Sequence, residues 1–247
     1  MPERGRTKGY LLVLVGISFA MLCLVVAITI LTPRVVGDFA WRRPLTGSVF
    51  SLLCILGMVA VFFPQRCARR SQKELPSERS PTRIQKETYL QKSSFVGVAV
   101  THGHHPSCEP FRAHEFALGK KTVCAACLGL FCGALISLAG SACMFLLQVP
   151  ISLQYGAVFV LGIIAITAGF APYAVATSLG PVRRFCANAV MIIGMFLTLV
   201  GVDGKVQSSA LNALLITFFI FVLFTRILLS QNTHERICAA CGRECAT

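Results

Sequence analysis

The sequence predicts an all-α fold, a polytopic membrane helix bundle with about six transmembrane helices. Of the 247 residues, 55% are hydrophobic and only 13% are charged, and the mean hydropathy is strongly positive. The apolar residues fall into long blocks with almost no charge, and a bilayer core about 30 Å thick needs roughly 20 such residues per helix. Because the blocks lack the alternating pattern of barrel strands, helices are the expected spanning form.

Six apolar blocks are long enough to span a bilayer. We predict spans at 9–32, 44–63, 123–148, 153–177, 185–200 and 209–229. The fifth is the shortest, and the sixth contains Arg226 near its end. The first follows a basic stretch, as a signal peptide does, but its apolar run exceeds the about 7 to 15 residues of a signal core. We therefore expect it to be retained as a helix.

The distribution of Lys and Arg predicts the orientation, because positively charged segments resist translocation. With the N-terminus inside, all but four of the 23 Lys and Arg residues lie on the cytoplasmic side or at its border. The exceptions are Arg34, Arg42, Arg43 and Lys205. We therefore expect an integral protein of the cell membrane with both termini in the cytoplasm.

Composition divides the chain into four segments. Residues 1–63 form an N-terminal two-helix membrane segment, 64–94 a basic cytoplasmic linker, 95–230 a Cys/His motif with a four-helix membrane domain, and 231–247 a Cys-rich cytoplasmic tail. Within the linker, residues 65–94 hold eight basic and three acidic residues, so this stretch is either solvated or held against anionic lipid headgroups. Nucleic-acid binding is not expected, since Tyr89 is its one aromatic residue.

The twelve cysteines fall into two groups. Five lie inside apolar blocks, where we expect them to pack between helices as small apolar side chains: Cys23, Cys54, Cys132, Cys143 and Cys186. The other seven lie on the predicted cytoplasmic side or at its border. Cysteines are normally kept reduced there, and reduced cysteines at close spacing favour metal binding.

The stretch from His102 to Cys127 contains four of the five histidines just ahead of an apolar helix. Cys124 and Cys127 are separated by two residues, a spacing that places both sulfurs on one zinc ion. Cys108 and either His105 or His114 would complete a Cys3His site. The pattern therefore predicts a small cytoplasmic metal-binding segment, with zinc the expected metal and iron, or no metal, as alternatives.

A second cluster lies in the tail, where His234 precedes Cys238, Cys241 and Cys245. Its Cys-x-x-Cys pair is typical of half a zinc ribbon. These four residues form a candidate second site. Alternatively, Cys238 and Cys241 join Cys124 and Cys127 in one four-sulfur site.

The motif also carries a resemblance to known proteins. Its residues are His105-Pro106-x-Cys108, Phe111, His114-x-Phe116, Gly119 and Cys124-x-x-Cys127-x-Gly129. They resemble the His/Cys segment of a family of predicted multi-span membrane proteins of unknown function, and the His-His-Pro version is similar to archaeal members. Many relatives have threonine where this chain has Leu128. The resemblance implies a multi-span protein with a metal or redox site, and it carries no established activity.

Two functions are consistent with these patterns. The first is a non-enzymatic membrane protein with a structural zinc site, acting in assembly, as a scaffold or in sensing, since zinc binding supplies folding energy to a loop without its own core. The second is a membrane-embedded thiol–disulfide oxidoreductase in which Cys124 or Cys127 is the nucleophile and the helix bundle holds a quinone. A metalloenzyme with Glu109 or Glu115 as base lacks a supporting His-Glu-x-x-His motif.

Overall fold

The computed structural model of the protein describes residues 3–35, 41–62, 92–95, 98–101, 114–118, 121–149, 154–175 and 179–240. Six helices within these ranges are long and apolar enough to cross a membrane, so the predicted all-α membrane fold is confirmed. They are α1 (Glu3–Leu31), α2 (Arg42–Phe62), α3 (Ala125–Ser141), α4 (Tyr155–Ala174), α5 (Pro181–Val206) and α6 (Ser209–Ala240). Helix α3 continues as a short π-helix over Ala142–Leu146, and the two together form the third span.

Two short β-hairpins precede α3 in the chain. Strand β1 (Lys92–Phe95) pairs antiparallel with β2 (Val98–Thr101). Strand β3 (Glu115–Leu118) pairs in the same way with β4 (Lys121–Cys124), with Glu115 opposite Cys124. Because β4 leads directly into α3, the second hairpin fixes where the third membrane helix begins.

Helix α5 forms the centre of the bundle and packs against both α3 and α4. Its membrane span is 61% buried, whereas the spans of α1 and α2 are each 28% buried. The prediction for this helix, residues 185–200, was wrong at both ends, because α5 begins at Pro181 and continues to Val206. Asp203 and Lys205, which lie beyond the predicted span, both belong to the helix.

Small residues on α3 permit close contact with its neighbours. Gly129, Gly133, Ser137 and Ser141 recur at every fourth position, and all four are buried. A Cβ added to Gly133 would lie 2.8 Å from the backbone oxygen of Ala189 on α5. The Ser137 hydroxyl donates to the backbone oxygen of Ile192 at 3.4 Å. Helices α3 and α5 therefore pack backbone against backbone, as small residues allow in membrane helices.

The end of the bundle that contains the start of α2, the end of α5 and the start of α6 is called the distal end here. Asp203, which is 1% exposed, lies at its centre. Its carboxylate contacts Nε of Arg42 at 2.9 Å and Nε of Arg43 at 3.2 Å. The amide of Asn212 donates to Asp203 at 2.8 Å and to the Thr46 hydroxyl at 3.2 Å. This cluster ties three helices together, and it explains why α5 carries a carboxylate to the end of its span.

The cysteines within the apolar blocks only partly follow the prediction that they pack between helices. Cys54 is buried and Cys132 is partly buried, but Cys23, Cys143 and Cys186 are exposed on the surface of the bundle. The prediction was therefore wrong for these three. A thiol behaves as a small hydrophobe, so it is tolerated on a surface that faces hydrocarbon.

Candidate functional site

The candidate site lies at the opposite end of the bundle, called the motif end here, where α3 and α5 begin and α4 ends. Cys124 is both the last residue of β4 and the N-cap of α3. Cys127 lies in the first turn of α3. The hairpin is held against the bundle by Phe116, whose ring packs edge-on against Phe185 of α5 at a centroid distance of 6.2 Å. This contact fixes the position of the cysteine pair relative to α5.

Cys124 and Cys127 lie in contact, as their spacing predicted. The side chain of Cys127 hydrogen-bonds to the thiol of Cys124 and, as the largest cause, lowers the pKa of Cys124 to about 6. Burial opposes this shift, while the backbone N–H groups of Cys127 and Ala126 and the positive charge of Arg226 reinforce it. Exposed N–H groups at a helix N-terminus favour a thiolate in this way. The folded protein therefore favours the thiolate form of Cys124.

His114 immediately precedes β3 and is 6% exposed. Since Glu115 pairs with Cys124, the hairpin brings the backbone of His114 to the same end of the sheet as the cysteine pair. Among the residues that the structure describes, no group of three or more His, Cys, Asp or Glu side chains is arranged to hold a metal ion. The described part of the predicted ligand set is thus the Cys124–Cys127 pair, with His114 buried at the adjoining strand.

The structure describes the other predicted ligands only in part. His105 and Cys108 lie outside the described residues, as do Cys241 and Cys245. The backbone at His234 and Cys238 belongs to α6, which continues to Ala240. The sixth span was predicted to end at Leu229, and the helix instead extends by a further three turns. Part of the predicted cysteine-rich tail is therefore helical.

Two buried arginines lie beside the cysteine pair, and the sequence patterns did not identify either as part of the site. Arg184 on α5 is 5% exposed and Arg226 on α6 is 6% exposed. Nε of Arg184 donates to the backbone oxygen of Leu179 at 2.9 Å. Arg184 lies close enough to Cys124 to be stabilised by its negative charge and close enough to Arg226 to be repelled by its positive charge.

Tyr173 and Asn188 hold these arginines in place. The guanidinium carbon of Arg226 lies 5.0 Å from the centroid of the Tyr173 ring, a cation–π contact. The side-chain amide of Asn188 donates to the Tyr173 hydroxyl and to the backbone oxygen of Arg184, both at 2.6 Å. Three helices, α4, α5 and α6, thus contribute to one polar cluster. The single sequence signal for it was an arginine inside an apolar block, since ionisable residues within a span usually serve a function.

An open groove of about 570 Å³ runs between α4 and α5 at the same end of the bundle. Pro172, Leu179 and Ala187 line its walls, and exposed Arg183 lies at its rim. Pro172 lies in the last turn of α4, which ends at Ala174, three residues before the predicted Thr177. The lining is otherwise apolar, as expected for a surface that faces lipid.

Comparison of the chain with protein family models, with curated proteins and with solved structures finds no match. The resemblance described for residues 105–129 therefore stays a prediction.

Proposed function

We propose that this integral membrane protein uses Cys124 and Cys127 as two ligands of a structural zinc site at the motif end. The observation that carries the proposal is the pair of thiols in contact at the start of α3, where the pKa of Cys124 is lowered. Zinc binds thiolates rather than thiols, so a pair already held in contact with a lowered pKa favours the metal. Cys108 and either His105 or His114 are the proposed remaining ligands.

The surrounding charge supports an anionic centre of this kind. Three thiolates and one neutral histidine around Zn²⁺ carry a net charge of −1, which is costly to place beside a membrane interior. Arg184 and Arg226 supply positive charge close to Cys124. In this proposal the site orders the segment between α2 and α3, in an assembly, scaffold or sensing role without catalysis.

The tail supplies a proposed second site from His234, Cys238, Cys241 and Cys245. The end of α6 that carries Cys238 lies on the same side as the start of α3, because an even number of spans returns the chain to the side from which it started. A shared four-sulfur site is therefore the competing arrangement. We favour separate sites, since each cluster has enough ligands of its own.

Metal analysis of the purified full chain tests the proposal. Wild type is expected to contain two equivalents of zinc if the sites are separate and one if they are shared, and a C124S/C127S variant is expected to lose one equivalent. A C132S/C143S variant is the matched control, because it removes two thiols from the same stretch of chain without touching the proposed ligands. A C238S/C241S variant separates the two arrangements. With separate sites each of the two pair variants keeps the metal of the other site, whereas with a shared site either variant loses all of the metal. Iron in place of zinc would revise the metal but keep the ligands.

A thiol–disulfide oxidoreductase is the second candidate, and the hydrogen bond from Cys127 to Cys124 favours it. In such a step the Cys124 and Cys127 sulfurs form a bond and release two electrons and two protons, which a quinone in the bilayer accepts to become a quinol. The groove beside Pro172 offers an apolar surface for the quinone at the same end of the bundle. A metal-free protein with a reversible Cys124–Cys127 disulfide would favour this function over zinc binding.

We further propose that the motif end and both termini face the cytoplasm of the cell membrane. The basic residues of the linker, which are the main support, would then lie against anionic lipid headgroups. Labelling of Cys124 with a membrane-impermeant thiol reagent in intact cells tests this orientation. Labelling from the outside would contradict it and would place the cysteine pair on the oxidising side, as expected for the oxidoreductase.

A further inference from the structure

Arg226 presents one complete edge of its guanidinium without a partner. Nε and Nη2 are both buried, and neither has a hydrogen-bond partner within the described part of the chain. The N–H groups of these two nitrogens point the same way from the planar group. Together they can donate two parallel hydrogen bonds to a carboxylate or phosphate. The side chain is 6% exposed, so water does not freely satisfy this edge.

The membrane spans supply no carboxylate for this arginine. Asp203 is the one acidic residue within the six described spans, and it pairs with Arg42 and Arg43 at the distal end. Arg184 adds a second buried positive charge beside Arg226. A buried guanidinium without an anion is strongly destabilising. The described spans therefore place two buried positive charges at the motif end without a carboxylate between them.

We propose that Arg226, assisted by Arg184, binds an oxyanion, either a carboxylate or a phosphate group, inside the bundle next to the cysteine pair. The Nε and Nη2 edge of Arg226 makes two hydrogen bonds to the ligand, while Arg184 contributes charge. The guanidinium carbon of Arg226 lies over the Tyr173 ring, and its Nε and Nη2 have no hydrogen-bond partner among the described residues. This site is separate from the proposed zinc ligands and does not depend on them.

The oxyanion has two sources that share this chemistry. One is a free anion from the aqueous side, and the other is the phosphate of a membrane lipid. The groove between α4 and α5 favours a lipid route, because Leu179 lines the groove and its backbone oxygen also accepts the hydrogen bond from Arg184. An acyl chain in the groove would bring a headgroup to the end of α5 that carries Arg184.

Thermal unfolding of the full chain tests the proposal with defined probes. In detergent, inorganic phosphate and acetate are each titrated against chloride at constant ionic strength. In nanodiscs, phosphatidic acid is titrated into phosphatidylcholine. A saturable rise of the unfolding temperature is expected with at least one probe. A rise with phosphate or acetate identifies a free anion, whereas a rise only with phosphatidic acid identifies a lipid headgroup.

Three variants make the test specific. R226M is expected to abolish the rise and, without an added anion, to unfold at or above the wild-type temperature, because a buried unpaired charge has been removed. R226K keeps the charge but lacks the fork, so its apparent affinity should fall at least tenfold. R183M removes the exposed neighbouring arginine and should keep the rise. If R226M is not obtained folded, the R226K comparison decides.

Several outcomes would overturn the site. No probe stabilises the wild-type protein, or R226K responds with unchanged affinity, or R226M retains the full rise. Zinc content is measured in the same preparations. Because the anion response and the metal content are separate readouts, failure of the zinc proposal leaves this result unaffected, and the reverse also holds.

Discussion

Asp203 links three helices at the distal end of the bundle, so replacing it with asparagine should lower the free energy of unfolding. The size of the loss depends on how deeply each of its arginine partners is buried. Its partner Arg42 has a side chain only 11% exposed and lies 2.9 Å away, whereas Arg43 is 34% exposed at 3.2 Å. Breaking a buried pair by removing one partner costs about 3–5 kcal/mol. An exposed pair contributes about 0–1 kcal/mol. The Arg42 contact should therefore dominate the loss.

We expect Asp203→Asn to lower the free energy of unfolding by about 3–5 kcal/mol, since the buried Arg42 charge then lacks its counterion. Asn212 should add to the loss, because its 2.8 Å hydrogen bond would reach a neutral rather than a charged oxygen. The same reasoning predicts that Arg43→Met changes stability by no more than about 1 kcal/mol. Denaturant titration of the protein in detergent micelles, followed by circular dichroism, measures these differences.

Lys205→Gln is the matched control, because Lys205 is exposed and lies two residues from Asp203 on the same helix. It should change stability by less than about 0.5 kcal/mol. A double replacement of Arg42 and Asp203 by apolar residues should recover much of the loss, since the buried unpaired charge of Arg42 is then gone and only the partly exposed Arg43 loses its partner. The reasoning would be refuted by an Asp203→Asn protein as stable as wild type, or by equal losses at Arg42 and Arg43.

Two further predictions concern the helix contact and the cysteine pair. Gly133→Leu should cost at least about 1–3 kcal/mol by forcing α3 away from Ala189, whereas Gly156→Leu, with no atom within 4 Å of its added Cβ, should cost much less in the same titration. In metal-free protein, alkylation of Cys124 should rise through a midpoint near pH 6, the lowered pKa of its thiol, and Arg226→Met should move that midpoint upward. The sign follows from the thiolate: because the folded protein holds the pKa below its ordinary value, the stability that the ionised form contributes is complete at alkaline pH and is lost as the pH falls through about 6. An alkylation midpoint for Cys124 near the value of an ordinary thiol, about 8.5, would contradict this.

The spans were predictable because a bilayer imposes length and apolarity on each helix separately. The prediction was wrong where a charge inside one helix is neutralised by another. Arg43 lies 160 residues before Asp203 in the chain, so no local pattern indicates that the carboxylate is paired and that α5 continues through it. Once the pairing is known, the extension to Val206 is understandable, because α5 can then continue through Asp203 without placing an unpaired charge in the membrane.

The candidate site divides in the same way. Contact between Cys124 and Cys127 was predictable, since two residues between them keep both within one helical turn. The surroundings were not, because Tyr173, Arg184 and Arg226 come from three different helices. An arginine inside an apolar block was the available signal, and it indicates a functional position without naming the partner. Which groups surround a thiol depends on helix packing, so the pKa of Cys124 could not be predicted from its spacing.

The buried charge at the distal end of the bundle is paired with opposite charge, whereas the buried arginines at the motif end have no carboxylate among the described spans. This difference indicates where the function lies. At the distal end, Asp203 has two guanidinium groups and an amide as partners, and the cluster serves as an internal tie between helices. At the motif end, Arg184 and Arg226 have no carboxylate among the described spans, and one edge of Arg226 has no partner. A fold selected for stability alone would replace such an arginine by an apolar side chain, because that change is often neutral or stabilising. Local departures from the rules of stable packing concentrate at functional sites. The uncompensated charge therefore assigns function to the motif end independently of whether its cysteines hold zinc or undergo oxidation.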